Sequence, residues 1–404
     1  MMKNTPIDSR LAGQRNERLI LSLLREHGEL SQTQLCRMIA LGSSTASSIV
    51  SRLRDKGLII ETQGQSDKRG PKPILLKINP SARYVAGIEI NPSYIHIGLF
   101  DFTAGLLIKT KLQLAASHTV EHVLDTIERQ FPAIVKKLNG DQEKILGIGV
   151  TLSGSVSPQG TVQLSSTLGW KQVPLKEMLE LRLKNKVLIY GTRVRLMAEI
   201  AQEPELQSCN ILYINVANGV GANVYMDGKL MTGSTGRCGE IGHIIYDPNG
   251  PVCGCGHKGC LESLISGPIL AEKIRNDMHH GEKSILSDWL TKQPSDMPED
   301  VVDLWGKAIE QQDEYALQLR DYVAEWLNRA AAEAINTFDP DTIILAGYVC
   351  RQCTSYFAES IRQAMNELVY DSPWRDIRIM AARCGEESLI KGVAMSILQD
   401  IHPI

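Results

Sequence analysis

The chain has 404 residues, 43% of them hydrophobic, enough for two or three domains with full cores. Aromatics are scarce at 5% and glycine is plentiful at 33, which suits an α/β protein with many tight turns. No apolar run approaches the length of a membrane span, and the N-terminus lacks the layout of a signal peptide, so a cytoplasmic protein is expected.

The formal charge of −3 is unevenly placed: residues 1–80 hold 13 Lys/Arg against 7 Asp/Glu, and the remainder 30 against 39. A basic head of this kind suits a polyanionic partner. Within it, Leu19, Ile20, Leu23 and Leu24 form the apolar stripe of a helix from about Gln14 to His27, ended by Gly28. Ser31 opens a second helix, with Gln34 placed as in a capping box and Leu35, Met38 and Ile39 facing inward. Leu41-Gly42 makes a turn, and Ser43 caps a third helix running to about Lys56.

The third helix has an apolar face of Ala46, Ile49, Val50 and Leu53. Its other face carries Ser44, Thr45, Ser47, Ser48, Ser51 and Arg52. Hydroxyl side chains are poor helix formers because they compete for backbone hydrogen bonds. Short donors that reach phosphates and base edges supply a reason for them, since such a helix can lie close in a major groove; a plain solvated face is the alternative. Two strands follow, Leu58–Glu61 and Ile74–Ile78, around a basic tip of Lys68-Arg69-Gly70-Pro71-Lys72. Three helices and a two-stranded wing predict a winged helix-turn-helix over residues 1–80, with Arg69 and Lys72 reaching the minor groove or a phosphate.

After Asn79-Pro80 the pattern changes to strands over Tyr84–Ile90, Tyr94–Asp101 and Leu106–Ile108, then a helix over Val120–Leu138 and a buried strand from Ile145 to Val150 leading into Ser153-Gly154. A second strand set covers Ile211–Val216 and Ala222–Met226. Helices dominate from about Ser266, broken by a strand at Thr342–Ala346. This predicts an α/β body of two lobes, 81–200 and 201–404, with the final helix returning to the first lobe.

Nine cysteines, three of them within eight residues, point to metal rather than to disulfides. Cys253, Cys255 and Cys260 offer three thiolates on one glycine-rich loop, and one imidazole would complete a tetrahedral shell that favours Zn²⁺. His243 and His257 compete for that place, and spacing slightly favours His257. Cys350 and Cys353 have no second ligand pair and read as packing.

The segment Gly239-Glu240-Ile241-Gly242-His243, followed by Cys253-Gly254-Cys255-Gly256-His257-Lys258-Gly259-Cys260-Leu261-Glu262, resembles the ROK family of repressors and sugar kinases. The N-terminal winged helix places the resemblance in the family's regulator branch. It implies an actin-like, two-lobed ATPase fold, a structural Zn²⁺ on His243, Cys253, Cys255 and Cys260, and a sugar-effector pocket using Gly154, Glu240, His243 and Glu262. Alternatively, Glu240 and Glu262 brace the metal loop. The resemblance further implies a homodimer or homotetramer that represses carbohydrate genes from a palindromic double-stranded DNA operator.

Kinase activity is not expected. In ROK kinases an Asn-Asp pair supplies the base, and aligning on Ala198-Glu199 puts Tyr190-Gly191 there. No Asp occurs between Asp141 and Asp227, and general-base catalysis is worth roughly 10²–10⁴-fold. The phosphate loops are altered too, reading Glu89-Ile90-Asn91 and Asn218-Gly219-Val220-Gly221-Ala222-Asn223, and Thr167 replaces an Asn of the sugar loop. Two other readings are a regulator governed by a protein partner without a sugar and, less favoured, a bifunctional kinase.

Overall fold

In a computed structural model the described residues are 9–39, 41–64, 73–92, 94–114, 119–138, 142–165, 167–191, 193–384 and 386–401. They divide into two units, Met1–Pro204 with Cys384–Ile404, and Glu205–Arg383.

The first unit opens with α1 (Ser9–His27), β1 (Leu30–Ser31), α2 (Gln32–Ile39), α3 (Ser43–Asp55), β2 (Ile59–Gln63) and β3 (Ile74–Ile78). Ser31 donates from both N and Oγ to Gln34 Oε1 at 2.8 Å, and Gln34 N donates back to Ser31 Oγ at 3.3 Å, which fixes the start of α2. Some expectations need correction. β1, too short to show a period, pairs with β3 through Leu30 and Leu76. The residue before α3 that caps it is Gly42, without a side-chain bond, and Ser43 is already helical. Burial in α1 falls on Ile20, Leu21 and Leu24, leaving Leu19 41% exposed, and Met38 lies at the surface because α2 turns Leu35 inward instead.

Next come β4 (Tyr84–Ile90), β5 (Tyr94–Asp101), β6 (Leu106–Gln113), α4 (Val120–Val135), β7 (Ile145–Leu152), a small antiparallel sheet of β8 (Ser155–Val156), β9 (Val162–Ser165) and β10 (Trp170–Val173), then α5 (Leu175–Leu183), β11 (Val187–Tyr190) and α6 (Val194–Gln202). Five strands form one sheet in the order β11-β7-β4-β5-β6. The central strands are buried on both faces, in keeping with their largely apolar sequences, with Glu89, His96 and Thr151 as buried polar exceptions. One face packs Ile88, Ile97 and Val150 against α4 and α5. The other presents Gly87, Gly98, Gly147 and Gly149 to α14 (Glu386–Asp400), the last helix of the chain.

The second unit contains β12 (Ile211–Val216), β13 (Val220–Met226), β14 (Lys229–Leu230), α7 (Glu262–Ile265), α8 (Gly267–His279), α9 (Leu286–Lys292), α10 (Pro298–Glu310), α11 (Glu314–Phe338), β15 (Thr342–Ala346), α12 (Tyr348–Arg351), α13 (Thr354–Leu368) and β16 (Arg378–Ala381). Its sheet runs β14-β13-β12-β15-β16, with β12, β15 and β16 parallel. The helices bury Trp305, whose indole N–H donates to Ala316 O at 3.0 Å. No helix among the described residues is long and apolar enough to cross a membrane.

Candidate nucleic-acid interface and metal centre

α3 buries Ala46, Ile49, Val50 and Leu53. Ser44, Thr45, Ser47, Ser48 and Arg52 are exposed and Ser51 is half-buried, so a row of hydroxyls lines one side of the helix. Two members are engaged within the helix: Ser51 Oγ donates to Asp55 at 3.4 Å, and Ser48 Oγ accepts from Arg52 Nη1 at 3.4 Å. Arg69 and Lys72 lie outside the described residues.

Sequence reading missed how much of the basic charge is already matched. Arg52 Nε and Nη2 both reach Glu17 Oε1 at 2.9 Å, and Glu17 is buried. Arg54 pairs with Glu61 at 2.8 Å and Lys77 with Glu29 at 3.3 Å. These pairs fasten α3 to α1 and the wing to its neighbours, and a signal of that kind is not visible in local sequence. Arg25 of α1 is also spoken for. Its Nη2 donates to Phe102 O at 3.5 Å, its guanidinium lies 5.6 Å from the Phe102 ring, and burial lowers its pKa to about 10.

In the second unit, one loop brings His243, Cys253, Cys255 and Cys260 together. One ligand atom from each lies within 4.8 Å of all the others. Cys253 Sγ stands 3.7 Å from His243 Nδ1, and Cys255 Sγ stands 3.6 Å from Cys260 Sγ. Edges of a tetrahedron with metal–sulfur bonds of ~2.3 Å and metal–nitrogen bonds of ~2.0 Å have about this length, so the donor set fits a closed metal site. The loop doubles back at Gly259, at φ +67°, where a Cβ would fall 1.5 Å from Asp247 O. Bridges Ile245–Cys260 and Val252–Lys258 then align its two strands. His257 stands beside this group, its Nδ1 3.5 Å from Cys255 Sγ.

The three thiols are electrostatically unlike. The backbone N–H of His257 brings Cys255 down to about 6, whereas burial pushes Cys260 up to about 12 and also raises Cys253. Three thiolates this close repel, and a bound cation is what would let all three ionise together. Cys350 is buried with its thiol raised by burial, and Cys353 is pushed up to about 12 by the same cause. Neither is among the grouped metal donors.

Gly154 belongs to the first unit, at φ +143°, where a Cβ would fall 2.5 Å from Leu164 O. Glu240, His243 and Glu262 belong to the second. Glu240 is exposed; Glu262 is half-buried, and its Oε2 accepts from Val220 N at 3.0 Å.

The sequence profile described as the ROK family matches residues 85–400. The chain belongs to the ROK family. A second profile, described as the MarR family, matches residues 14–70, a span that holds α2, α3 and β2. The ROK relatives include the xylose repressor of Caldicellulosiruptor bescii, 24% identical over 97% of each chain. They also include the DNA-binding transcriptional dual regulator NagC of Escherichia coli, 27% identical over 84% of this chain and 82% of NagC. Among solved structures, a ROK family transcriptional regulator described as a homolog of the E. coli MLC protein superposes with a TM-score of 0.83 at 25% identity, covering 96% of this chain and 97% of its own. The fold is therefore a winged helix-turn-helix joined to a ROK sugar-kinase-like body.

Several of the positions set against the kinase pattern above make internal hydrogen bonds. Tyr190 donates its hydroxyl to Asp400 Oδ2 at 2.8 Å, and Gly191 O accepts from Thr151 at 3.1 Å. Glu89, on the first phosphate loop, is buried with Oε2 3.1 Å from His96 Nδ1. On the second loop, Asn218 Oδ1 accepts from Tyr348 at 2.7 Å, and the N–H of Val220 is held by Glu262 as above. A carboxylate on that N–H repels a phosphate from the same place.

Proposed function

We propose that the chain is a sequence-specific DNA-binding regulator, acting as a repressor of carbohydrate metabolism or transport genes, in which a ROK body without kinase activity senses a sugar or sugar derivative. The observation that carries this reading is the hydroxyl row of α3, exposed on a winged helix that shares a chain with a body whose residue 191 is Gly. In this reading Ser44, Thr45, Ser47, Ser48, Ser51, Arg52, Arg69 and Lys72 meet DNA, and the working division is reader 1–80, first lobe 81–200 and second lobe 201–404. A homodimer or homotetramer would present paired α3 helices to a palindromic operator in the cytoplasm.

The metal would be Zn²⁺ on His243, Cys253, Cys255 and Cys260. Four protein ligands leave no open coordination position, so its role is structural. The effector would meet Gly154, Glu240, His243 and Glu262. The bond from Val220 N to Glu262 favours a bracing share for that carboxylate, and with it the second reading, a body governed by a protein partner. An effector can release DNA only if it prefers the lobe arrangement that misaligns the recognition helices.

Two experiments test this. Selection from a random DNA pool should return a palindromic site; absence of any enriched sequence in dilute salt would remove the DNA-reading role. A thermal-shift screen with xylose, N-acetylglucosamine and their phosphates should find a stabilising sugar. Silence across the panel would favour the protein-partner reading, and turnover in a coupled ATPase assay would overturn the assignment of an inactive body.

A further inference from the structure

Three sets of contacts in the first unit converge on α14. The helix lies in a groove floored by glycines. A Cβ on Gly87 would meet Ile390 O at 2.5 Å, and one on Gly149 would meet Val393 Cγ1 at 2.2 Å. Its flank is set as closely on α6, since a Cβ on Gly392 would meet Val194 O at 2.4 Å. Contacts at backbone distance do not deform smoothly, so α14 and α6 shift together or not at all.

The second set lies at the end of α14. Tyr190 closes β11 beside Gly191, and its hydroxyl bond to Asp400 fixes the last helical residue. Its ring packs with Val194, Leu389 and Val393. Burial raises both groups above their usual ranges, and for Asp400 the hydrogen bond from Tyr190 and the charges of Arg18 and Lys186 oppose that rise.

The third set belongs to α1. Glu17 of α1 holds Arg52 of α3 at 2.9 Å. Ile20, Leu21 and Leu24 of α1 share one apolar cluster with Ile390, Ala394, Ile397 and Leu398 of α14. Tyr190 and Asp400 are thereby tied through α14 to the apolar cluster that holds α1, and α1 is tied to α3 by the Glu17–Arg52 pair.

We propose that Tyr190 and Asp400 are positioning residues that lock α14 against α1, so that a change at residues 190–191 is transmitted to the recognition helix through the end of α14. The inference rests on α3 being the DNA reader. It assigns the site of the lost kinase base a second use, as the anchor of a mechanical link.

Hydrogen exchange on the full chain tests it with Tyr190→Phe, Asp400→Asn and the double variant, alongside the affinity of each for a duplex from the protein's own promoter region. Tyr190→Phe keeps the packed ring, so it remains informative should Asp400→Asn fail to fold. The expected result is exchange in α1, over residues 17–25, about tenfold faster in each variant, with a change in DNA affinity of about fivefold or more. The double variant should add nothing to the singles, as for two partners in one interaction. Faster exchange confined to the end of α14, with α1 and DNA affinity unchanged, would overturn the proposal. Should the wild type bind no promoter duplex, the DNA-reading role fails, while exchange in α1 still decides whether the link exists.

Discussion

Arg52 on α3 and Glu17 on α1 meet with both guanidinium contacts at 2.9 Å, across 35 positions of sequence. The arginine side chain is 44% exposed and the carboxylate only 7%, so the pair has one wet and one dry partner. Arg52→Ala then has two effects. It should weaken DNA binding and reduce the slope of log affinity against log salt by about 0.9. It should also leave Glu17 without this partner, at a cost of about 1 kcal/mol, less than the ~3–5 of a fully buried pair. Adding Glu17→Leu should recover stability in urea titrations but not the affinity. Affinity equal to wild type in Arg52→Ala would take this residue out of the footprint.

Thr45 and Ser47 are exposed on α3 beside the buried Ala46. Replacing either by Ala removes a donor without opening a cavity, so stability should stay within about 0.5 kcal/mol. Affinity for the selected DNA site should still fall, by about 1 kcal/mol for each lost contact. Fluorescence anisotropy beside a melting curve separates the two quantities, and affinity unmoved in both variants would make the row a solvated surface.

Metal uptake should release protons. At pH 7 Cys255, at about 6, is mostly ionised, whereas Cys253 and Cys260 are raised and must give up theirs to bind. About two protons per metal are expected, and affinity should climb as pH rises through neutrality. Calorimetry of Zn²⁺ binding in buffers of different ionisation enthalpy counts them. Cys255→Ser should lose the metal and lower the melting temperature; full metal occupancy in that variant would contradict the ligand set.

Restoring an acid by Gly191→Asp should not create a sugar kinase. The new Cβ would sit 3.3 Å from Gly154 O, and the partners of Glu89, Asn218 and Val220 would be unchanged. A coupled ATPase assay with hexoses and pentoses should stay at background. Strong turnover would mean that the phosphate loops are far less altered in function than in bonding.

Gly87→Ala should be costly for its size. The added methyl would fall 2.5 Å from the carbonyl of Ile390, which is backbone and cannot swing aside. Overpacking of this kind costs about 1–3 kcal/mol, readable as a lower urea midpoint. An unchanged midpoint would show that α14 can lift from the sheet without penalty.

What could be read from sequence followed periodicity and spacing. The apolar face of α3 and the strands of the wing carry their own pattern, and three cysteines on a glycine-rich loop announce a ligand set. Short elements did not show: β1 has two residues, and β8 has two. Spacing favoured His257 over His243, and only the reversal at Gly259 brings residue 243 to the thiols. The pairing of Tyr190 with Asp400 spans 210 positions and follows from the path of the whole chain.

The apolar cluster that contains Ile20 and Leu24 also contains Ile390 and Ile397, from opposite ends of the sequence. During synthesis the early helices leave the ribosome long before their final neighbours exist. They can pack on one another and on β3 through Leu35, Ile49, Leu53 and Leu76, but the part of that cluster that meets α14 lacks its partner until residues 386–400 have been made. A nascent chain stalled before residue 386 should therefore be more protease-sensitive in its first segment than one that includes α14.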